Sequence, residues 1–192
     1  MIELTAEFSR GYENIIRQLT LISTKMELNR AIYRAAQRAA QAGVTIIKKE
    51  ISAETTLKQS TVAKTVKKYV QGSPTGEFAI GVKISDTARP LSEFKFLPKM
   101  PKPHTAPIVE IYRGKKQKLG NGAFVQQMPS GHIGVFHRIG EKRLPIKELR
   151  GPAVTGIFKA NEEIHRTAFE KIYEVLEKRV VHELNWILEN KK

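Results

Sequence analysis

The chain has 192 residues, 41% of them hydrophobic, which is enough apolar material for the core of one ordinary domain. It contains no cysteine, which excludes a disulfide framework and a zinc-thiolate site. The formal net charge is +14, and residues 61–120 carry more than half of the excess. Such uneven positive charge favours a polyanionic neighbour, either nucleic acid or an acidic protein.

The N-terminal third, residues 1–70, is predicted to be helical. Apolar residues recur near helical spacing in residues 4–22, more sharply in residues 27–51 and again in residues 55–70. In the second of these helices, small alanines on one side predict close packing against another element. The third helix places lysines on its outer face. Charged residues interrupt all these segments, so we expect no signal peptide and no membrane-spanning segment.

Strand patterns predict a β core over residues 77–138. Residues 77–85 alternate between apolar and polar positions, and the run GAFVQQM, the turn PSG and the run HIGVFHRI predict a hairpin whose turn ends at Gly131. Residues 86–107 contain five prolines and predict a long loop with one short strand at residues 93–97.

Residues 158–190 keep their apolar side chains on one stripe, which predicts a single long helix. The order of elements therefore predicts one α+β domain spanning residues 1–192. It would consist of N-terminal helices, a small antiparallel β-sheet or barrel-like core, and one long C-terminal helix.

Residues that commonly carry catalysis are sparse and scattered. Asp86 is the sole aspartate, and no nucleophile elbow, P-loop or dinucleotide-binding motif is present. Glu162 and His165 form one Glu-x-x-His motif, whereas di-iron bundles need two copies and further glutamates. We therefore predict no enzyme activity, no catalytic or metal site and no cofactor.

The candidate polyanion-facing residues come from the predicted third helix and from a predicted basic turn. Phosphate contacts need only positive charge, whereas reading a base sequence needs a recognition helix or exposed stacking aromatics, and neither pattern is visible. One function consistent with this is a sequence-nonspecific nucleic-acid-binding module of a ribonucleoprotein or nucleoid type. The candidates are Lys64, Lys67, Lys68, Lys115, Lys116 and Lys118.

The block GAFVQQMPSGHIGVFHRIGEKRLPIKELRGPAVTGIF, residues 122–158, resembles the signature region of the phage minor tail protein Z family. More loosely, it is similar to the tail completion proteins of siphophages. The matching features are GAFVQQM, the hairpin SGHIGVFHR, the motif RLPIKELRGPAV and the helix that follows. The resemblance implies a structural virion protein of a bacteriophage or prophage, placed at the head-proximal end of the tail and needed for tail completion and head–tail joining.

The same resemblance implies partners and a location. Neck and terminator proteins often assemble as oligomeric rings, so we expect contacts with further copies of the chain and with neighbouring tail or neck proteins. DNA could pass the ring without being read. We expect the protein to be made and assembled in the bacterial host cytoplasm, to end in the neck of the virion and to have no membrane partner.

Within that block, residues 139–154 form a basic stretch whose chemistry suits an assembly contact. Leu144, Ile146 and Leu149 are predicted to tuck into a seam between sheet and helix, while prolines stiffen the path and basic side chains project from it. The alternative is that the stretch only caps the sheet and leads into the last helix. The proposed contact residues are Lys142, Arg143, Pro145, Lys147 and Arg150.

Overall fold

The computed structural model of the protein describes residues 2–7, 25–72, 78–120 and 122–190. The chain divides into two compact units, the first comprising residues 1–48, 66–85 and 161–192 and the second residues 49–65 and 86–160. That the chain folds as a single domain stays a prediction.

The helices are α1 (Lys25–Glu54), α2 (Gln59–Ala63), α3 (Val154–Ala160) and α4 (Glu162–Glu189), with a 3-10 turn at Leu91–Glu93. The strands are β1 (Ile2–Glu7), β2 (Val66–Gly72), β3 (Phe78–Ile84), β4 (Arg89–Pro90), β5 (Lys95–Leu97), β6 (Ile108–Glu110), β7 (Lys116–Lys118), β8 (Ala123–Gln127), β9 (Ile133–Arg138), β10 (Ile146–Glu148) and β11 (Arg150–Gly151). The predicted α+β class is confirmed. The sheets formed by the described residues are small and antiparallel, and none of them closes into a barrel.

The first unit packs α1 and α4 with a sheet of strand order β1-β3-β2. The alanine face of α1 is fully buried, as its small residues predicted. At Gly43 an added Cβ would lie 2.6 Å from Cδ1 of Ile172, so the missing side chain lets α4 approach α1 closely. The stripe of α4 buried in this unit is Ile164, Ala168, Ile172, Leu176, Val180, Leu184 and Ile187.

The second unit contains sheets of strand order β10-β9-β8 and β5-β6-β7 and the two-stranded ribbon β11-β4. The predicted hairpin is confirmed as β8 and β9. The Met128 N–H donates to the His132 carbonyl (2.8 Å), and the turn ends at Gly131, whose φ of 82° lies in the left-handed region that glycine adopts readily.

Three predicted helices differ from the structure. The helix predicted over residues 4–22 is wrong at its start, because residues 4–7 lie in β1, and the remainder falls outside the described residues. The helix predicted over residues 55–70 is wrong in its second half, because only Gln59–Ala63 is helical and Val66–Gly72 pairs with β3 as an edge strand. Two β-branched valines and a tyrosine suit that strand.

The predicted single C-terminal helix is divided in two. α3 ends at Ala160 and α4 begins after Asn161, whose side-chain oxygen accepts hydrogen bonds from the backbone N–H groups of Glu163 (3.1 Å) and Ile164 (3.2 Å). Asn161 has an extended backbone, which is typical of an N-cap and interrupts the helix.

Candidate assembly surface

The basic stretch forms the far end of a second hairpin, made by β9 and β10. Arg138 pairs with Ile146, and the Ile139 N–H donates to the Pro145 carbonyl at 3.1 Å, so the strands are closed up to the tip. Residues 139–145 therefore project from an ordered pair of strands; we call them the basic tip. The Leu144–Pro145 peptide within it is cis.

The side chains of the basic tip are exposed, including its apolar ones. Ile139 is 61% and Leu144 65% exposed, and Lys142 and Arg143 are exposed beside them. The prediction that Leu144 tucks into a seam is wrong, because the tip extends beyond the paired strands. Ile146 and Leu149, which lie within or beside the ladder, are partly buried.

Lys147 and Arg150 lie in the segment that leaves the basic tip, residues 146–151. Backbone hydrogen bonds of Leu149 hold this segment to two neighbouring parts of the chain. The Leu149 N–H donates to the Val135 carbonyl (2.8 Å), and the Leu149 carbonyl accepts from the Leu91 N–H (3.0 Å). Lys147 is exposed on β10, whereas the Arg150 guanidinium donates to the Ala88 carbonyl at 3.1 Å. Arg150 therefore also supports the local fold, and Lys142 and Arg143 are better residues for testing a contact.

The sole aspartate anchors the end of the basic stretch. Asp86, whose side chain is 6% exposed, accepts two hydrogen bonds from Arg89 (2.8 and 2.9 Å) and one from the Val154 N–H at the start of α3 (2.9 Å). Arg89 also reaches Glu93 at 3.3 Å. The Asp86 carboxylate is the main cause of the raised pKa of Arg89. Asp86 thus ties residues 86–93 to the chain that leaves the basic stretch.

The histidines near this hairpin have local partners. His132 Nε2 lies 2.8 Å from the Glu148 carboxylate, and His137 Nδ1 lies 3.0 Å from the Arg138 carbonyl. Within the part of the chain that the structure describes, no three His, Cys, Asp or Glu residues are grouped so that they could hold a metal ion.

The six lysines predicted to face a polyanion are distributed over both units. Lys67 and Lys68 are exposed on the edge strand β2 of the first unit. Lys64 follows α2 in the second unit, where β7 and the preceding turn carry Lys115, Lys116 and Lys118. The structure therefore assigns two of these lysines to the first unit and four to the second.

One carboxylate offsets part of the positive charge on the β5-β6-β7 sheet. Glu110 lies between Lys95 and Lys116 in the strand register, and its carboxylate is 3.0 Å from the Lys95 ammonium. The Gly114 N–H donates to the same carboxylate at 2.9 Å. These contacts, led by the Gly114 N–H, hold the pKa of Glu110 below its usual value. Lys118 lies instead opposite Ile108, which is itself exposed.

The sequence prediction missed a row of exposed apolar residues on α4. Phe169 and Tyr173 are in contact, with ring centroids 4.7 Å apart, and Val181 and Leu188 follow at spacings that place them on the same side of the helix. Their helical periodicity was a usable signal, but it lies beside the stronger buried stripe. We call these four residues the α4 row.

A family model described as "Prophage minor tail protein Z (GPZ)" matches residues 9–190. No curated protein and no solved structure matches the chain. Among the described residues, none of the helices has the length and apolar character required to cross a membrane.

Proposed function

The chain belongs to the prophage minor tail protein Z family, and on that premise we propose that it completes the tail at its head-proximal end and is needed to join the tail to a filled head. Family membership makes it a structural protein of a phage tail, and tail proteins of this kind are not typically enzymes. Its location is therefore the virion. The resemblance of residues 122–158 to tail completion proteins supports the head-proximal position.

The basic tip carries this proposal. Lys142 and Arg143 stand between two exposed apolar residues, Ile139 and Leu144. The strands of this hairpin are hydrogen-bonded as far as Ile139 and Pro145, which leaves residues 140–144 as a short connection. A partner that binds this tip orders little additional backbone, so less conformational entropy is lost. Mixed positive and apolar character suits an acidic protein surface with apolar contacts. We propose that Lys142, Arg143, Pro145 and Lys147 contact a neighbouring neck or tail protein.

The α4 row supports contacts between copies of the chain. Exposed apolar residues on one side of a helix are typical of surfaces buried on assembly, and α4 extends for 28 residues, or roughly 42 Å. We propose that this row packs against a second copy in a ring. Replacing Phe169 and Val181 by serine should then shift the sedimentation of the assembled protein towards the monomer.

The exposed lysines of β2 support a passage for DNA that requires no base reading. We propose that Lys67 and Lys68 face DNA in the assembled neck. Removing one lysine that binds a phosphate reduces the slope of log affinity against log salt by roughly 0.9. Replacing Lys67 and Lys68 by alanine should therefore flatten the salt dependence equally for unrelated DNA sequences, and an unchanged slope would assign these lysines to an acidic protein.

Complementation with charge-reversal variants tests the joining role. A prophage lacking this protein is supplied with Lys142→Glu plus Arg143→Glu, or with Lys49→Glu plus Lys58→Glu, two exposed lysines of the same unit that give the same change in charge. We expect the first variant to fold and to leave tails and filled heads unjoined. Joined particles should fall at least about tenfold, which corresponds to a loss of roughly 1.4 kcal/mol of binding free energy. The control should join normally. Equal joining by both variants would remove the basic tip from the proposed contact.

A further inference from the structure

A cleft of about 590 Å³ lies between the outer edge of β8 and the proline-rich loop of the second unit. One wall is formed by residues 122–126, and the other by residues 101–106. In the sheet of order β10-β9-β8, β8 is an edge strand, so one side of its backbone has no strand partner within the sheet. Pro101 and Pro103 have no backbone N–H, which limits pairing of the loop with this edge and leaves the cleft open.

The hydrogen-bond pattern shows which backbone groups point into the cleft. The Met128 N–H bonds to the His132 carbonyl, so pairing alternates and places Gln126 and Phe124 in hydrogen-bonded pairs with β9. Val125 and Val135 then form a non-hydrogen-bonded pair. The hydrogen bond of the Val135 carbonyl is consistent with this pairing. The carbonyl accepts from the Leu149 N–H, on the side of β9 that faces away from β8.

The Val125 N–H and carbonyl therefore point away from β9 and towards the loop. The neighbouring outward groups are the Ala123 carbonyl and the Gln127 N–H. The other two outward groups are already used, since the Ala123 N–H donates to the Gly120 carbonyl (3.3 Å) and the Gln127 carbonyl accepts from the Gln126 side chain (2.8 Å). An unpaired edge of this kind is a template for an added strand.

The charge of the residues that line the cleft indicates which kind of peptide segment would bind there. The lining contains the cations Lys102 and Arg138 together with His104, and no acidic residue lines the cleft among the described residues. The Arg138 guanidinium lies 5.2 Å from the centre of the Phe124 ring, and neither basic residue forms an ion pair within the described ranges. We propose that an extended, acidic segment of a neighbouring tail protein adds to β8 as a further strand, with its carboxylates facing Lys102 and Arg138.

This site differs from the basic tip and does not depend on a head-proximal position. The proline-rich loop gains a role as the outer wall that confines the added strand. Backbone pairing supplies affinity for any extended segment, while the two cations favour carboxylates over neutral or basic sequences.

Peptide binding to the full-length protein tests the proposal. Overlapping 12-residue peptides that cover the other tail proteins of the same prophage are screened against the purified chain. We expect the bound peptides to be enriched in Asp and Glu. Val125→Pro removes the outward N–H without removing a bond to β9, and it should weaken binding at least about tenfold. Lys102→Glu with Arg138→Glu should weaken it by a similar factor, whereas Lys142→Glu with Arg143→Glu should leave it unchanged.

Amide hydrogen exchange tests the proposal on the wild-type protein, so its result does not depend on whether a variant folds. The Val125 amide should exchange at least about tenfold more slowly with a bound acidic peptide than without it. The proposal is overturned if no tail peptide binds, if the bound peptides are not acidic, or if the Val125 amide is protected by a single-stranded oligonucleotide and by no peptide. Intact peptide binding in the tip variant that fails to join heads would show that the two surfaces act separately.

Discussion

Removing the Asp86 side chain is expected to destabilise the second unit by about 3 kcal/mol. Asp86→Ala removes the acceptor of the Val154 N–H at the start of α3, a capping bond worth roughly 1 kcal/mol. It also leaves Arg89, whose side chain is 17% exposed, with the longer contact to Glu93. Breaking a buried pair costs roughly 3–5 kcal/mol, and the remaining Glu93 contact and solvent access reduce this to about 2.

Asp86→Asn separates the two contributions, because its amide oxygen can still accept from Val154 but carries no charge. We expect it to cost about 1–2 kcal/mol, clearly less than alanine. Urea unfolding followed by circular dichroism measures both variants, provided that the slope with denaturant stays unchanged. Fluorescence of the single tryptophan, Trp186, reports on the first unit, and coincident transitions would support the single-domain prediction. Midpoints equal to that of the wild type would refute the reasoning.

Three further predictions concern other parts of the chain. Gly43→Ala should destabilise the wild type by about 1 kcal/mol in urea unfolding, since overpacking against Ile172 outweighs the gain in helix propensity. In Ile172→Ala only Cγ2 of Val82, at 3.1 Å, stays close to the added methyl group, so the same change should cost clearly less there, and an equal cost in both backgrounds would contradict the packing argument. Because the pKa of Glu110 is lowered, its contribution to stability is present above the usual pKa and disappears as pH falls through the lowered value. The melting temperature of Glu110→Gln should therefore fall less at acid pH than that of the wild type, and identical pH profiles would contradict this. Leu144→Ser should leave the unfolding free energy within about 0.5 kcal/mol of the wild type, because Leu144 is exposed, while reducing head–tail joining; normal joining would argue against an apolar contact at the tip.

Local periodicity was sufficient to predict the elements whose pattern fits one structure. α1 and α4 follow from apolar residues at helical spacing, and β3 follows from strict alternation. The β8–β9 hairpin follows from two alternating runs around Gly131, which has the positive φ that its turn requires. In these cases local preference and tertiary structure agree.

The wrong predictions concern segments whose structure is set by residues that are distant in the sequence. Val66 and Val70 are four residues apart and therefore also suit a helix face, but pairing with Ile84 and Ile80 of β3 makes them part of a strand. The break at Asn161 had a readable signal, because an asparagine followed by two glutamates is a common helix start. The continuous apolar stripe beyond it hid that signal.

The candidate site was predicted in composition but not in geometry. The sequence identified Lys142 and Arg143 as an unusual basic pair, yet the exposure of Leu144 depends on where the β9–β10 ladder ends. It also grouped six lysines that the fold assigns to two units. The free backbone groups in the cleft beside β8 depend on the alternation of hydrogen bonds between β8 and β9, which the residue types do not indicate.

Electron microscopy of particles that carry a labelled copy of the chain tests the central claim most directly. We predict that the label lies at the head-proximal end of every finished tail, and that tails made with Lys142→Glu plus Arg143→Glu retain the label but lack heads. Labels along the tube or at the distal tip would contradict a joining role at the neck.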